Sequence, residues 1–116
     1  MTEGTRELIA GSGVGSFANG QGASASFFTP SQLVWARDQG YGLLYIADLD
    51  NHRIRVIDLN NRDALSEAGS GTAGYLNGAC SAARFNSPAG LALSPAGNLY
   101  VIEKSTNNVR KINEDE

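Results

Sequence analysis

The chain has 116 residues and a mass of 12.2 kDa, a length typical of one domain, and its 41% of hydrophobic residues suffice for a modest core. Fourteen glycines and a charged fraction of only 18% indicate many short strands joined by turns rather than long helices. The formal net charge is −3 and the basic residues are scattered. This distribution disfavours nucleic acid as a partner, because no basic stripe is present in the sequence to neutralise phosphates.

The inventory of metal-binding and targeting residues is short. Cys80 is the single cysteine, so it has no second thiol for a disulfide or a shared metal site. His52 is the single histidine, whereas catalytic zinc usually needs two or three. We therefore expect no cofactor and no metal. The first residues form neither a basic leader nor an apolar run, which predicts a cytoplasmic protein without a membrane segment, the alternative being a piece of a longer or secreted protein.

An internal repeat organises the chain. At an offset of 58 residues, Ala10-Gly11-Ser12-Gly13 aligns with Ala68-Gly69-Ser70-Gly71, and the match continues to Leu33 and Leu91. Beyond residue 37 the offset becomes 55, and Leu44-Tyr45-Ile46 then aligns with Leu99-Tyr100-Val101. The change of offset lies in a turn, where a repeat of strands tolerates a difference in length. The sequence therefore contains two copies of one unit.

Each copy is built from short strands bounded by turn residues. In the first copy we predict strands at 32–36, 43–47, 53–58 and 64–68. The runs at 43–47 and 99–102 are apolar without alternation, which indicates burial on both faces of a sheet. Four-stranded sheets stacked face to face bury their inner strands in this way, so we predict an all-β propeller with two four-stranded blades per chain. Blade one covers about 31–68, blade two covers about 89–113 without its last strand, and an N-terminal strand at about 5–10 completes a blade.

The segment at 44–55, LYIADLDNHRIR, resembles the NHL repeat family, which is named for Asn-His-Leu. The Gly-Ser-Gly loops, FNSPAGLAL at 85–93 and GNLYV at 97–101 are also similar to the long form of that repeat. The resemblance covers nearly the whole chain and implies a β-propeller, commonly six-bladed, that acts as a binding platform. The family's Asn-His turn falls on Asn51-His52, where Arg53 replaces Leu, while Thr106-Asn107-Asn108 and Glu103 mark the departures in the second copy.

The candidate binding surface consists of polar residues in turns and crossing loops. The loops at 11–29 and 69–87 cross between blades, and in propellers they share a face with the turns between second and third strands. We expect this loop face to bind a protein, peptide or glycan. The candidate residues are Asn19, Gln21, Asn51, His52, Asn77 and Arg84. A purely structural turn is the competing interpretation of Asn51-His52, because Asx side chains cap tight turns.

Two segments are similar to metal- or phosphate-binding motifs, but each lacks residues that the motif requires. The segment Asp48-x-Asp50-Asn51 is similar to the start of a calcium loop, but Arg53 and Leu59 stand where the loop needs Gly and a bidentate acid. The glycine-rich loop at 11–15 lacks the Lys-Ser/Thr of a phosphate-binding loop. We therefore predict a non-catalytic module. The alternative is a propeller enzyme of the hydrolase or lyase type with a site in its central channel.

Two blades cannot close a ring, so each end of the chain is expected to expose an apolar sheet face. We expect a head-to-tail homo-oligomer, a trimer that closes a six-bladed ring, in which the N-terminal strand of one subunit pairs with residues 108–112 of the next. The alternative is a fragment of a longer NHL propeller protein. Within the chain, the rings of Phe27, Phe85, Pro30 and Pro88 are expected to anchor the crossing loops by burial between adjacent blades.

Overall fold

The structure is a computed structural model that describes residues 6–38, 41–69, 71 and 84–112. Within that part the chain is all β, apart from two single-turn 3-10 helices at Gly22–Ser24 and Leu49–Asn51. No helix in the described ranges has the length and apolar character of a membrane span. The described strands are β1 (Gly20–Gln21), β2 (Pro30–Asp38), β3 (Tyr41–Asp48), β4 (Arg53–Asp58), β5 (Asp63–Ala68), β6 (Pro88–Leu93), β7 (Leu99–Glu103) and β8 (Asn108–Ile112).

The strands form two antiparallel sheets. The first sheet has the order β1-β5-β4-β3-β2 and the second has the order β6-β7-β8. The four strands predicted for the first copy are confirmed, and β2 and β3 are longer than predicted because they continue into the turn that joins them. The two-residue strand β1 was not predicted and adds to the outer edge of the first sheet beside β5.

Equivalent strands of the two sheets pair in the same register. In the first sheet Leu33 lies opposite Ile46, and in the second sheet Leu91 lies opposite Val101. The next strand pair agrees, with Leu44 opposite Ile57 and Leu99 opposite Ile112. Each of these pairs is related to its counterpart by the sequence offsets of 58 and 55. Both sheets also have a register shift just after the proline that begins β2 or β6.

The two sheets stack face to face. The buried cluster between them consists of Ala47, Ile54, Phe85, Leu91, Leu99 and Val101. Two side chains of β2 also contact β6: Ser31 Oγ donates to the Ala89 carbonyl at 2.9 Å, and Gln32 Oε1 accepts from the Leu91 amide at 2.7 Å. The stacking therefore combines apolar burial with two polar contacts between β2 and β6.

The opposite face of the first sheet is covered by a loop instead of a second sheet. Its buried cluster consists of Ala25, Ile46, Ile57 and Ala64, and Ile9, Ala10 and Phe27 pack against it. The burial of the four rings predicted to anchor the crossing loops differs between the two faces in the same way. Phe85 is buried between the sheets as expected and Pro88 is also buried, whereas Phe27 is half-buried and Pro30 is exposed.

The N-terminal strand predicted at 5–10 does not form in its described part, residues 6–10. A strand needs a neighbour for its backbone groups, and no described strand pairs with this segment. The segment lies against the first sheet instead. Arg62 Nη1 donates to the Leu8 carbonyl at 3.2 Å, and the Gly11 amide donates to the Gly22 carbonyl at 3.1 Å.

Candidate functional site

The turn between β3 and β4 carries the motif that the sequence singles out. Strand β3 ends at Asp48, a single 3-10 turn follows, and His52 adopts the left-handed conformation with φ 53° before β4 begins. Asn107 adopts the same conformation at the equivalent position of the second copy, with φ 59°. A left-handed residue reverses the chain sharply enough for two adjacent strands to pair, and Asn and His tolerate it better than most residues.

Asp48 is buried beneath this turn, where it contacts other groups of the chain. Its Oδ2 lies 2.9 Å from Arg55 Nη1, and both side chains are fully buried. The same oxygen accepts from Asn51 Nδ2 at 2.7 Å, and Oδ1 accepts from the Phe28 amide at 2.7 Å. Both carboxylate oxygens are therefore engaged in holding the turn and the crossing loop.

Arg55 joins the first sheet to the loop at 11–29. Its Nη1 donates to the Ser26 carbonyl at 2.7 Å, and its Nη2 donates to the Ala18 carbonyl at 2.8 Å. The guanidinium also lies 4.7 Å from the ring centre of Phe17 and 4.5 Å from that of Phe27, within the range of cation–π attraction. Burial lowers the pKa of Arg55, and the hydrogen bond and charge of Asp48 oppose that shift.

The second copy repeats the arrangement with Glu103 and Arg110. Glu103 Oε1 lies 3.1 Å from Arg110 Nη1, and Glu103 Oε2 accepts from the Asn86 amide at 2.7 Å. Thr106 Oγ1 donates to Glu103 Oε1 at 3.3 Å, so it replaces Asn51 as the donor from the turn. Arg110 also lies 4.8 Å from the ring centre of Phe85. In each copy, a buried acid–arginine pair therefore connects the crossing loop to its sheet through hydrogen bonds.

Several predicted site residues take part in this internal network. Asn51 Nδ2 donates to the Ser16 carbonyl at 2.9 Å as well as to Asp48, and Asn19 Oδ1 lies 3.3 Å from Arg55 Nη2. His52 Nδ1 accepts from the Ser87 amide at 3.0 Å, so the turn of the first sheet contacts the loop that enters the second. The structural interpretation of the Asn51-His52 turn is therefore supported by its contacts.

The remaining predicted residues lie apart from that turn. Gln21 is exposed and donates from Nε2 to the Asn61 carbonyl at 2.6 Å, at the outer edge of the first sheet. Arg84 is exposed at the end of the second crossing loop, and its carbonyl accepts from Arg110. Asn77 lies outside the described residues. The structure thus groups Asn19, Asn51 and His52 around one turn and separates Gln21 and Arg84 from them.

Sequence reasoning missed the two buried ion pairs. Their signal was present, since Asp48 aligns with Glu103 and Arg55 aligns with Arg110 at the offset of 55. An acid and an arginine kept in both copies of a repeat, each within or at the end of an apolar strand, indicate a buried pair. In the described part of the chain, no cluster of three or more His, Cys, Asp or Glu is placed to hold a metal ion.

In the described part of the chain, two apolar sheet faces have no second sheet packed against them, and we call them the open faces. On the first sheet, the face of Leu33, Leu44, Ile46 and Ile57 lines a cavity of about 520 Å³, together with residues 7–10 and Phe27. On the second sheet, the outward face exposes Tyr100, Ile102 and Val109, and Val109 is 71% exposed. Adjacent apolar side chains left open in this way mark a surface that another molecule or another part of a protein covers.

Sequence comparison shows which known proteins this chain resembles. No family model matches the chain. NHL repeat-containing protein 2 of Bos taurus is 33% identical over 95 residues, which cover 81% of this chain and 13% of that protein. Protein SUPPRESSOR OF QUENCHING 1, chloroplastic, of Arabidopsis thaliana is 32% identical over 94 residues, covering 81% of this chain and 9% of that protein. The chain is similar to NHL repeat-containing proteins.

A solved structure has a similar fold. The crystal structure of an auxiliary nutrient binding protein from Bacteroides thetaiotaomicron VPI-5482 superposes with a TM-score of 0.84 at 26% identity. The superposition covers 90% of this chain and 28% of that one. The NHL-like chain therefore spans a small part of the proteins that it matches, and its stacked antiparallel sheets are those of a β-propeller-like unit.

Proposed function

We propose that this chain is a non-catalytic binding module of the NHL repeat family, in which two repeats form adjacent propeller blades and copies assemble into a closed ring. One observation carries the proposal. The two open sheet faces are the repeat equivalents of the two faces that meet inside the chain. A second copy can therefore cover each open face with contacts that this chain already makes.

The correspondence holds residue by residue. Inside the chain, the first sheet presents Tyr45, Ala47 and Ile54 to Leu91, Leu99 and Val101 of the second sheet. The equivalents of the first set are Tyr100, Ile102 and Val109, on the outward face of the second sheet. The equivalents of the second set are Leu33, Leu44 and Ile46, on the open face of the first sheet. Stacking the outward face on the open face of another copy repeats the internal interface.

The free energy of such stacking comes mainly from apolar burial. Complete burial of one Val or Ile side chain contributes about 1.5–3 kcal/mol, and each interface would bury several. Because the contact is head-to-tail, it propagates until the rotation closes. Three copies supply six sheets, the number that the resemblance implies for a ring. We therefore propose a trimer.

A second candidate is that further repeats of a longer chain cover the same faces. The chain spans only 13% and 9% of the two curated relatives, which favours this candidate. Both candidates use the same apolar contacts, and they differ in whether this chain assembles alone. The mass of the chain in solution therefore separates them.

The binding role is supported by the exposed polar residues and by one neighbour. Gln21, Asn19 and Arg84 are exposed at loops or sheet edges. The solved structure at 26% identity is named an auxiliary nutrient binding protein. We propose a protein, peptide or glycan as the ligand, without a cofactor. The non-catalytic assignment rests on the engagement of Asp48 and Glu103 with the chain's own donors; an enzyme with a channel site is the alternative.

The assembly is tested with Val109→Asp, which places a charge on the outward face of the second sheet. Asn60→Asp is the matched control, because it adds the same charge at an exposed turn away from both open faces. We expect the unmodified chain and the control to sediment near three times 12.2 kDa, and Val109→Asp to sediment as a monomer. A monomeric unmodified chain would overturn self-assembly and leave the longer-chain candidate.

The binding role needs a separate measurement. We expect the assembled chain to retain members of a glycan array or a peptide library, and Arg84→Ala combined with Gln21→Ala to reduce that retention without changing the mass. Absence of retention on both arrays would contradict the proposed ligand classes. Turnover of ester or lactone substrates that disappears on substitution of exposed β2 side chains would instead favour the enzyme.

A further inference from the structure

We infer that a pocket between the two sheets, at the end of the strands away from the Asn51-His52 turn, binds a small carboxylate that carries an aromatic ring. This binding goes beyond the proposed function, because one chain forms the whole pocket and no assembly is needed. Three features support it: the apolar walls of the pocket, an exposed tryptophan at its side and a single arginine next to that tryptophan.

The pocket lies between the first and second sheets, close to the start of β3. Its volume is about 310 Å³, at the lower end of the range of small-molecule sites. The first sheet contributes Leu43 and Tyr45 to its walls, and the second sheet contributes Leu93 and Pro95. Strand β3 runs from this end to Asp48, so the pocket is separate from the turn and loops described above. Its apolar walls favour a ligand with an apolar ring.

Trp35 lines the same pocket and is exposed to solvent over 54% of its surface. Its indole lies against the backbone of Gly42, where a Cβ atom would come within 2.7 Å of the indole Nε1. Real Cβ atoms do not approach another atom so closely, so the glycine makes room for the ring. An exposed indole offers a flat face on which an aromatic ring of a ligand can stack.

Arg37 supplies a positive charge beside this ring. Its guanidinium carbon lies 5.6 Å from the ring centre of Trp35, within the range of cation–π attraction, and the side chain is exposed. Among the described residues that line the pocket, Arg37 is the only charged one. A guanidinium is a planar fork of donors that matches the two oxygens of a carboxylate. A ligand with its ring on Trp35 and its carboxylate on Arg37 therefore satisfies both groups.

The repeat indicates that neither side chain is needed to build the sheet. At the offset of 58 residues, Trp35 aligns with Leu93 and Arg37 aligns with Pro95. Leu93 packs against the cluster between the sheets, and the strand that carries it pairs in the same register as β2. The second copy thus forms the same strand pair with smaller, uncharged residues. The exposed indole and guanidinium of the first copy therefore fit a ligand contact better than a role in folding.

Trp35 is the single tryptophan of the chain, so its fluorescence and its indole N–H resonance report on this site alone. Phenylacetate is the probe, and phenylacetamide is the matched probe with the same ring and no charge. We expect phenylacetate to change both signals and to bind about tenfold more tightly than phenylacetamide, because a charge-assisted hydrogen bond to Arg37 is stronger than a neutral one. The backbone amides of Leu93 and Ser94, on the opposite wall, should shift with the same affinity.

Two variants test the role of the charge. Arg37→Gln should abolish most of the preference for phenylacetate over phenylacetamide. The matched control Lys104→Gln removes one positive charge at an exposed residue at the other end of the strands, and it should keep that preference.

The unmodified chain alone can overturn the proposal. If neither probe changes the Trp35 signals, or if the amides of Leu93 and Ser94 do not shift, the pocket between the sheets is not the binding site. Equal affinities for phenylacetate and phenylacetamide, or an Arg37→Gln variant that keeps the preference, would overturn the recognition of a carboxylate.

Discussion

Replacing Phe85 with alanine removes the aromatic anchor of the second crossing loop. The ring is only 2% exposed, lies in the cluster between the sheets and packs under the guanidinium of Arg110. Removal of a fully buried Phe side chain costs about 3–5 kcal/mol, because both transfer free energy and packing are lost. At about 4 °C per kcal/mol for a chain of this size, the melting temperature should fall by about 12–20 °C.

The repeat provides a matched control for this substitution. Phe27 occupies the equivalent position, but it is half-buried because its sheet face is open. In dilute solution Phe27→Ala should therefore destabilise the chain less than Phe85→Ala, measured by thermal unfolding followed by circular dichroism. At concentrations where copies stack, the two costs should converge. An unchanged melting temperature for Phe85→Ala, or equal costs in the monomer, would refute the reasoning that sheet stacking buries this loop.

Three further outcomes are expected. Arg55→Met should lower the free energy of unfolding in urea by about 3–5 kcal/mol, because it leaves the buried Asp48 carboxylate without its charge partner. Adding Asp48→Asn should recover part of that loss. A cost below about 1 kcal/mol would contradict the burial of the pair. His52→Ala should cost about 1 kcal/mol, because it removes the acceptor of the half-buried Ser87 amide, whereas His52→Asn should cost less, because Asn Oδ1 stands the same number of bonds from Cα as His Nδ1. Equal costs would refute this role. The hydrogen bond and charge of Arg62 lower the pKa of Glu7 below its ordinary 4.5. The contact of Glu7 with Arg62, which attaches the N-terminal segment, is therefore present above pH 4.5 and is lost as the pH falls through the lowered pKa. Proteolysis of residues 6–10 that does not change with pH would count against this contact.

Much of the fold follows from the repeat. A period in sequence requires equivalent strands to pair equivalently, and the alignment of Leu44 with Leu99 predicts the register observed in both sheets. The strand positions follow from the apolar runs and the turn residues between them. Residues 6–10 are the exception. Their pattern agrees with that of β5, but a strand forms only where a neighbour satisfies its backbone, and no strand in the described part of the chain pairs with them.

The candidate site was less accessible to sequence reasoning. Arginine is almost never fully buried, so Arg55 inside an apolar strand would be placed at the surface by composition alone. Its burial depends on the carbonyls of the crossing loop and on Asp48, which come together only after folding. Conversely, His52 was expected on a binding surface, and its Nδ1 atom contacts the loop that enters the second sheet.

Sedimentation equilibrium of the unmodified chain over a wide concentration range tests the central claim most directly. The open faces and the internal interface that they repeat predict a defined species near three times 12.2 kDa that dissociates on dilution. A mass of 12.2 kDa at every concentration, or a mass that grows without limit, would contradict closure of a ring by copies of this chain.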